Sequence, residues 1–422
     1  MAWILFGTFF VLVFLNVPIA VSLGLSTLIG LFASSVDFSM FPSIMYSSVG
    51  KFALLAIPFF ILAGTIMEYA GISKRLIRFA QVCVGHTKSG LILVVVIVAC
   101  FFAAISGSGP ATVAALGSIL IPAMTEAGYD KGVGTALMSA SGAIGIIIPP
   151  SIAFVVYASI ANVSVGKLFA GGFIPGILVG VAYVLAAKWS SRNNKNIVQQ
   201  PKASARERWN AFKDAVWGLL MIILGGIYGG IFTPTEAAGV AVIYGLIVGI
   251  FIYREIKIKD LWKMFVDSAI SSATVMYIVA CAAVFAWLLT TSHIASDMSA
   301  GLLAVSSNKY VILALTNIIF LIAGCFLDAN SAFYILIPIM LPVMNAIGVD
   351  PIHFGVFVTV NMAIGLITPP VGINLYVGCN IADLPVAELC KKIIPFLVAG
   401  IVALIVITYI PAITMVLPNM VA

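Results

Sequence analysis

The chain has 422 residues, of which 62% are hydrophobic and only 9% charged. A soluble domain carries about 25% charged residues, so this composition cannot cover a water-facing surface; it excludes a soluble enzyme, a nucleic-acid binder and a disordered chain. The net charge of +6, from 21 Lys and Arg against 15 Asp and Glu, then reports membrane topology, because cytoplasmic loops collect basic residues.

The opening MAWILFGTFFVLVFLNVPIA has no basic start and no small-residue cleavage site, and it reads as a retained first span. Asn16-Val17-Pro18 turns the chain into a second span, and one further span follows. Two short apolar runs at about 90–105 and 110–125 come next, each about 16 residues long. A full crossing takes about 20, so the pair reads as a re-entrant hairpin over about 90–126. A long span at about 131–160 is interrupted by Pro149-Pro150, and a closing span ends near Lys188. The only long hydrophilic stretch, 188–213, connects two halves.

The second half repeats the first. Pro149-Pro150 in GAIGIIIPPS returns as Pro369-Pro370 in MAIGLITPPV, an offset of 220 residues from 149 to 369. At the same offset Pro122, Gly128, Asp130, Gly145 and Pro175 meet Pro342, Gly348, Asp350, Gly365 and Pro395. Gly, Pro and Asp matching without a gap is a duplication signal that shared hydrophobicity does not supply. The expected organisation is a first repeat over 1–188, a connector over 189–213 and a second repeat over 214–422. The second repeat carries a hairpin at about 310–346 and a broken span at about 352–380.

Orientation follows from the basic residues. Lys74, Arg75, Arg78 and Lys88 form one cluster; Lys188, Arg192, Lys195, Lys202, Arg206, Arg208 and Lys213 a second; Arg254, Lys257, Lys259 and Lys263 a third. With Lys131, Lys391 and Lys392 these are 18 cytoplasmic residues, leaving Lys51, Lys167 and Lys309 outside. The connector is then cytoplasmic. The first hairpin enters from the cytoplasm and the second from outside, as an inverted repeat requires. All-α transporters of this design bind substrate near the midplane, at the repeat interface.

The chemistry concentrates at four places. The first tip, Ser106-Gly107-Ser108-Gly109-Pro110-Ala111-Thr112, cannot continue a helix. Its carbonyls and hydroxyls become oxygen ligands for a hard cation, and the helix beginning at Pro110 aims its amides at an anion. The second tip, Leu327-Asp328-Ala329-Asn330-Ser331, places a carboxylate in the membrane, although an Asp there also serves as a helix cap. The two proline pairs free carbonyls over 145–148 and 365–368. Two Na⁺ cages are expected, one from Ser106, Ser108, Gly145, Ile148 and Pro150, the other from Cys325, Asp328, Gly365, Thr368 and Pro370. Ser108, Pro110, Thr112, Ser151, Asn330, Ser331 and Asn374 are the candidate substrate contacts.

Other features carry less. Glu236 in Thr233-Pro234-Thr235-Glu236 reads as a capping box. His86, His293 and His353 are isolated and read as interfacial, and the six cysteines as free thiols acting as small hydrophobes. The Gly-x-x-x-Gly at 225–229 fits close helix packing as well as a dimer face. No phosphate-binding loop or catalytic triad is present, so no nucleotide hydrolysis and no enzyme activity is expected.

In combination SGSGPATVAALGSILIPAM, GAIGIIIPPS, GGIFTPTEAAGVAV and NMAIGLITPPVGINLYV resemble the large membrane subunit of tripartite ATP-independent periplasmic (TRAP) transporters. The resemblance spans essentially the whole chain. It implies an elevator-type, Na⁺-coupled importer of an organic acid in the bacterial inner membrane, such as a C4-dicarboxylate or sialic acid. It also implies a separate small four-helix membrane subunit and a periplasmic substrate-binding protein as partners. No cofactor is implied beyond Na⁺ as coupling ion. A stand-alone Na⁺/carboxylate symporter or antiporter of the wider ion-transporter class is the alternative, with a channel or membrane-embedded enzyme as a remoter one.

Overall fold

The computed structural model describes residues 1–420 except 35, 88, 195, 200, 225–231 and 307, with the side chains of 221–224 also left aside. Lys88, Lys195 and the Gly-x-x-x-Gly at 225–229 lie outside the described residues. Every regular element among the described residues is helical. Helices α1 (Ala2–Phe14), α2 (Ile19–Phe32), α3 (Met40–Val49), α4 (Ala56–Tyr69) and α5 (Ile72–Val84) precede a first hairpin of α6 (Gly90–Ser106) and α7 (Gly109–Glu126). The first interrupted span is α8 (Lys131–Ala143) and α9 (Ile152–Ala161), and α10 (Val165–Ser190) closes the half. The second half opens with α11 (Ala205–Leu224), α12 (Pro234–Ile247), α13 (Ile258–Thr291) and α14 (Ile294–Val305). Then come a second hairpin of α15 (Lys309–Gly324) and α16 (Ala329–Ala346), an interrupted span of α17 (Pro351–Gly365) and α18 (Ile373–Ala382), α19 (Val386–Tyr409) and α20 (Ala412–Met415). Six helical stretches among the described residues are long and apolar enough to cross a membrane. The chain is an all-helical, multi-pass membrane protein.

Local chemistry explains the interruptions. Gly107 ends α6 in the left-handed region, at φ +59°, where a side chain would be strained. Pro110 fits the first turn of α7, whose missing N–H costs nothing there. The non-helical tip is therefore only Gly107-Ser108, shorter than the Gly/Ser/Pro cluster suggests. In the first broken span, Ile144–Ile146 tighten into a 3-10 turn before Pro149-Pro150, and Ser151 caps α9 by accepting from the Phe154 N–H at 3.3 Å. Pro149-Pro150 and Pro369-Pro370 are both cis. Helix starts recur 220 residues apart, as at Gly109 and Ala329 or Lys131 and Pro351.

Three short helices, α3, α5 and α14, stand where the sequence reading assigned no element; at 10 to 13 residues they lack span length. The connector is also shorter than 189–213, because α10 runs through Ser190 and α11 begins at Ala205. The Thr233–Glu236 capping box forms as expected, with the Thr233 N–H donating to Glu236 at 2.8 Å.

Two groups of helices can be followed in one continuous bundle, joined to each other where α13 packs on α16 and α5 on α6. In one, α4 packs on α12 and α13, α11 on α5, and α13 also on α2 and α3. In the other the halves interlock: α7 of the first hairpin packs on α18, and α16 of the second packs on α9. Tyr157, Phe320, Phe333, Phe354 and Phe357 form an edge-to-face aromatic cluster across that crossing. The Tyr157 hydroxyl donates to the Pro351 carbonyl at 2.6 Å. Helices α10 and α19 flank this second group, packing on each other and on α8 and α17.

Contacts also group the basic residues. Lys392 meets Asp130 at 3.1 Å, Arg75 meets Glu255 at 2.8 Å, and the Val198 N–H donates to the Ala127 carbonyl at 3.0 Å. The open end of the first hairpin, the connector and the start of α19 thus share one face. At the far end of α19, about 36 Å away for its 24 residues at ~1.5 Å each, Tyr409 donates to Tyr310 at 3.0 Å, and Lys309 to Gly348 at 3.1 Å. The second hairpin opens there.

Candidate functional site

At the first tip, backbone and hydroxyl oxygens crowd together. The Thr112 hydroxyl donates to the Ser108 carbonyl at 2.7 Å and stands 2.9 Å from the Ser106 hydroxyl. Gly145 presses its backbone against this cluster: a Cβ there would stand 2.8 Å from the Ser108 carbonyl oxygen and 2.9 Å from the Thr112 hydroxyl. A Cβ on Gly107 would stand 2.8 Å from the Pro150 carbonyl oxygen. Ser106, Ser108, Thr112, Gly145 and Pro150 are thereby gathered in one place. Ile148 is near them in sequence, but its side chain packs on Gly176 of α10.

The second tip is built differently. Asp328 is the N-cap of α16, accepting from the Asn330 N–H at 3.0 Å, the Ser331 N–H at 3.3 Å and the Ser331 hydroxyl. Its carboxylate serves its own helix end, which is the capping reading of this residue. The helix end at Ser108 receives no such side-chain bond. Gly324 and Gly365 meet backbone to backbone, a Cβ on Gly365 falling 2.8 Å from the Gly324 carbonyl oxygen. The neighbouring Cys325 thiol turns back to the Leu321 carbonyl at 3.2 Å, and the Thr368 hydroxyl to Ile364 at 2.7 Å. Pro149 is buried and Pro150 half-buried, whereas their counterparts Pro369 and Pro370 are half-buried and exposed, so the two breaks are not equivalent.

Both tips border one cavity of about 220 Å³. Ser108 and Pro110 reach it from one side, Asp328 and Asn330 from the other, with Ile146 and Leu366 from the two breaks and Val275 and Ile278 from α13. The α13 pair lies near the middle of that 34-residue helix, so the cavity sits about halfway along it. Asn330 Oδ1 is buried there without a partner. A second cavity of about 430 Å³ shares Ser108, Ile152 and Val275 with it, takes in Ser106, and extends past Glu68, Tyr69 and Asp267 toward the basic face.

Four expected substrate contacts, Thr112, Ser151, Ser331 and Asn374, do not line the central cavity. Ser151 is fully buried and donates to the Ile146 carbonyl at 2.6 Å. Asn374 is fully buried behind the wall, its amide donating to the Ser139 carbonyl at 3.0 Å while its Oδ1 lacks a partner beside Gly109. Ser331 and Thr112 are likewise buried, occupied by their own tips. The sequence reading missed Gly324, the α13 pair and a buried network in which Asn361 donates to Asn317 at 2.9 Å and Asn317 to Thr408 at 3.1 Å. Amides inside apolar runs were the available signal. His353 is buried, not interfacial, held by Thr414 at 2.7 Å and the Thr408 carbonyl at 3.1 Å, because α17 begins at Pro351 and its first turn is covered by α19 and α20.

A model of the family described as tripartite ATP-independent periplasmic transporter, DctM component, matches residues 6–413. The chain belongs to this family. It is a transport permease, not an enzyme. The C4-dicarboxylate TRAP transporter large permease protein DctM of Rhodobacter capsulatus is 38% identical over 99% of both chains. The sialic acid TRAP transporter large permease protein SiaM of Vibrio cholerae is 34% identical over 97% of this chain and 96% of its own. The isethionate TRAP transporter permease protein DctMQ of Oleidesulfovibrio alaskensis is 41% identical over 98% of this chain, which spans 65% of that protein's length. Among solved structures, the Alcanivorax borkumensis YdaH transporter superposes with a TM-score of 0.61 at 16% identity, covering 89% of this chain and 90% of its own, a likeness of fold.

Proposed function

We propose that this DctM-family chain carries a small organic acid anion across the bacterial inner membrane, coupled to Na⁺, by sliding the interlocked group past the α4–α12–α13 group. The carrying observation is the cavity bordered by both hairpin tips and by residues of both breaks. The first tip offers neutral oxygens of the type Na⁺ takes, together with an uncapped helix N-terminus suited to the anion. Relatives named for C4-dicarboxylate, sialic acid and isethionate transport support an organic acid as cargo. The basic face is assigned to the cytoplasm; the connector is then cytoplasmic and the hairpins re-entrant. On that assignment, the 430 Å³ cavity reaching toward the basic face supports an inward-facing state. A small four-helix membrane subunit and a periplasmic substrate-binding protein complete the machine.

With no arginine on the cavity wall, anion and Na⁺ are held together, so each must raise the other's affinity by the same factor. Measured on the purified complex, carboxylate affinity should climb with Na⁺ and Na⁺ affinity with carboxylate. Equal carboxylate binding in choline and Na⁺ buffers would overturn the shared site. Uptake driven equally well by a pH gradient without Na⁺ would overturn the coupling.

A further inference from the structure

We propose that the groove between α10 and α19 holds one anionic phospholipid of the cytoplasmic leaflet. The groove is a cavity of about 800 Å³ on the outside of the interlocked group, between two antiparallel helices. Its floor is made of small residues such as Ala182 and Ala399 and its rims of Leu185, Val398 and their apolar neighbours. Lys391 is the charged residue among those lining it, and it lies at the same end as Trp189. The Arg192 guanidinium stacks over the Trp189 ring at 4.3 Å, bringing a second cation to that end. Lys392, next in sequence, is engaged by Asp130 at 3.1 Å.

Length chooses the occupant. From Trp189 to Leu178 along α10 is about 16 Å, and from Lys391 to Val406 along α19 about 22 Å, at ~1.5 Å per residue. One leaflet of hydrocarbon is roughly 15 Å deep, so an acyl chain runs the groove from the basic end to about mid-membrane. The groove is open along its outer side, as one that admits acyl chains from the surrounding bilayer must be. A tryptophan at the rim matches the aromatic belt at the headgroup level, and the two cations at that end match a phosphate carrying net negative charge. Because α10 and α19 pack on α8 and α17, the lipid belongs to the group that carries the broken spans.

The test is native mass spectrometry of the purified full chain, in the complex it forms, delipidated and then titrated with phosphatidylglycerol or phosphatidylcholine. One phosphatidylglycerol should be retained with about tenfold preference or more. Lys391→Gln and Arg192→Gln should each weaken it about fivefold, the equivalent of ~1 kcal/mol per basic residue at the membrane surface. Ala399→Trp should block the groove and abolish retention; Lys391→Gln leaves its shape intact and keeps the test valid where the tryptophan disrupts folding. Equal retention of the two lipids, or phosphatidylglycerol binding indifferent to Lys391→Gln, overturns the proposal. So does a cross-link from residue 398 to another polypeptide in native membranes, which would give the groove to a protein partner.

Discussion

Gly145 has no room for a methyl group, since both atoms nearest its Cβ position, the Ser108 carbonyl and the Thr112 hydroxyl, belong to the first tip. Gly145→Ala must push the tip away from the break, and is expected to cut initial uptake at least tenfold while the protein still assembles. Gly301→Ala makes a control, with nothing within 4 Å of its Cβ position, and should stabilise α14 by about 0.5–1 kcal/mol. Comparable uptake by the two variants would show that the tip–break contact is not needed. The first-tip cluster was legible in the sequence because the residues that stop a helix there are also the ones that expose oxygens. Ser151 and Asn374 were less legible. Beyond a proline break the direction of a side chain depends on how the next helix is rotated, which the sequence does not specify. Gly324 was hidden for another reason: a glycine in an apolar run looks like any helix-packing residue.

Among elements, the Asn317–Asn361–Thr408 network joins α15, α17 and α19 deep in the bundle. Asn361→Leu deprives Asn317 of a donor and should cost about 1–3 kcal/mol. Replacing Asn317 and Asn361 together by leucine should recover much of that, since losing both partners of a buried bond is milder than losing one. Thermal unfolding of the three variants checks the cycle, and additive losses would refute the coupling. At the basic face Asp130 ties α8 to α19. Burial alone would raise its carboxyl, but the Val133 N–H and Lys392 outweigh this and hold it below its ordinary value of 3.8. A carboxyl lowered by folding stabilises fully above that ordinary value and loses its contribution as pH falls through the folded one. The stability gap between wild type and Asp130→Asn should stay constant from neutral pH down to about 5 and close below about 4. A gap that persisted in acid would sink this account. Hairpin bounds were readable to within a few residues because Gly, Pro and Asp punctuate them, whereas α3, α5 and α14 have neither span length nor strong stop signals.

For the whole molecule, the ungapped repeat made the recurrence of helix starts 220 residues apart legible. What it left out is how distant segments pack, above all the 34-residue α13, which lines the central cavity and packs on α16 as well as on α4. One exposed hydrogen bond between the two helix groups stands apart from their packed contacts. Lys51, just ahead of α4, donates to the Ser159 carbonyl of α9 at 2.8 Å. If α9 slides past α4, this bond is broken and remade once in every turnover, so it acts as a clock part more than a structural brace. A single exposed hydrogen bond of about 1 kcal/mol corresponds to a factor of about five in how long the protein waits in this state. Lys51→Met should shorten that wait by about as much, read as dwell times in single-molecule fluorescence, and leave the affinity for the anion unchanged. Unaltered dwell times would mean that the bond keeps no time. On condition that α9 slides past α4, the pace of transport would be set partly by Lys51, a residue that does not line the central cavity.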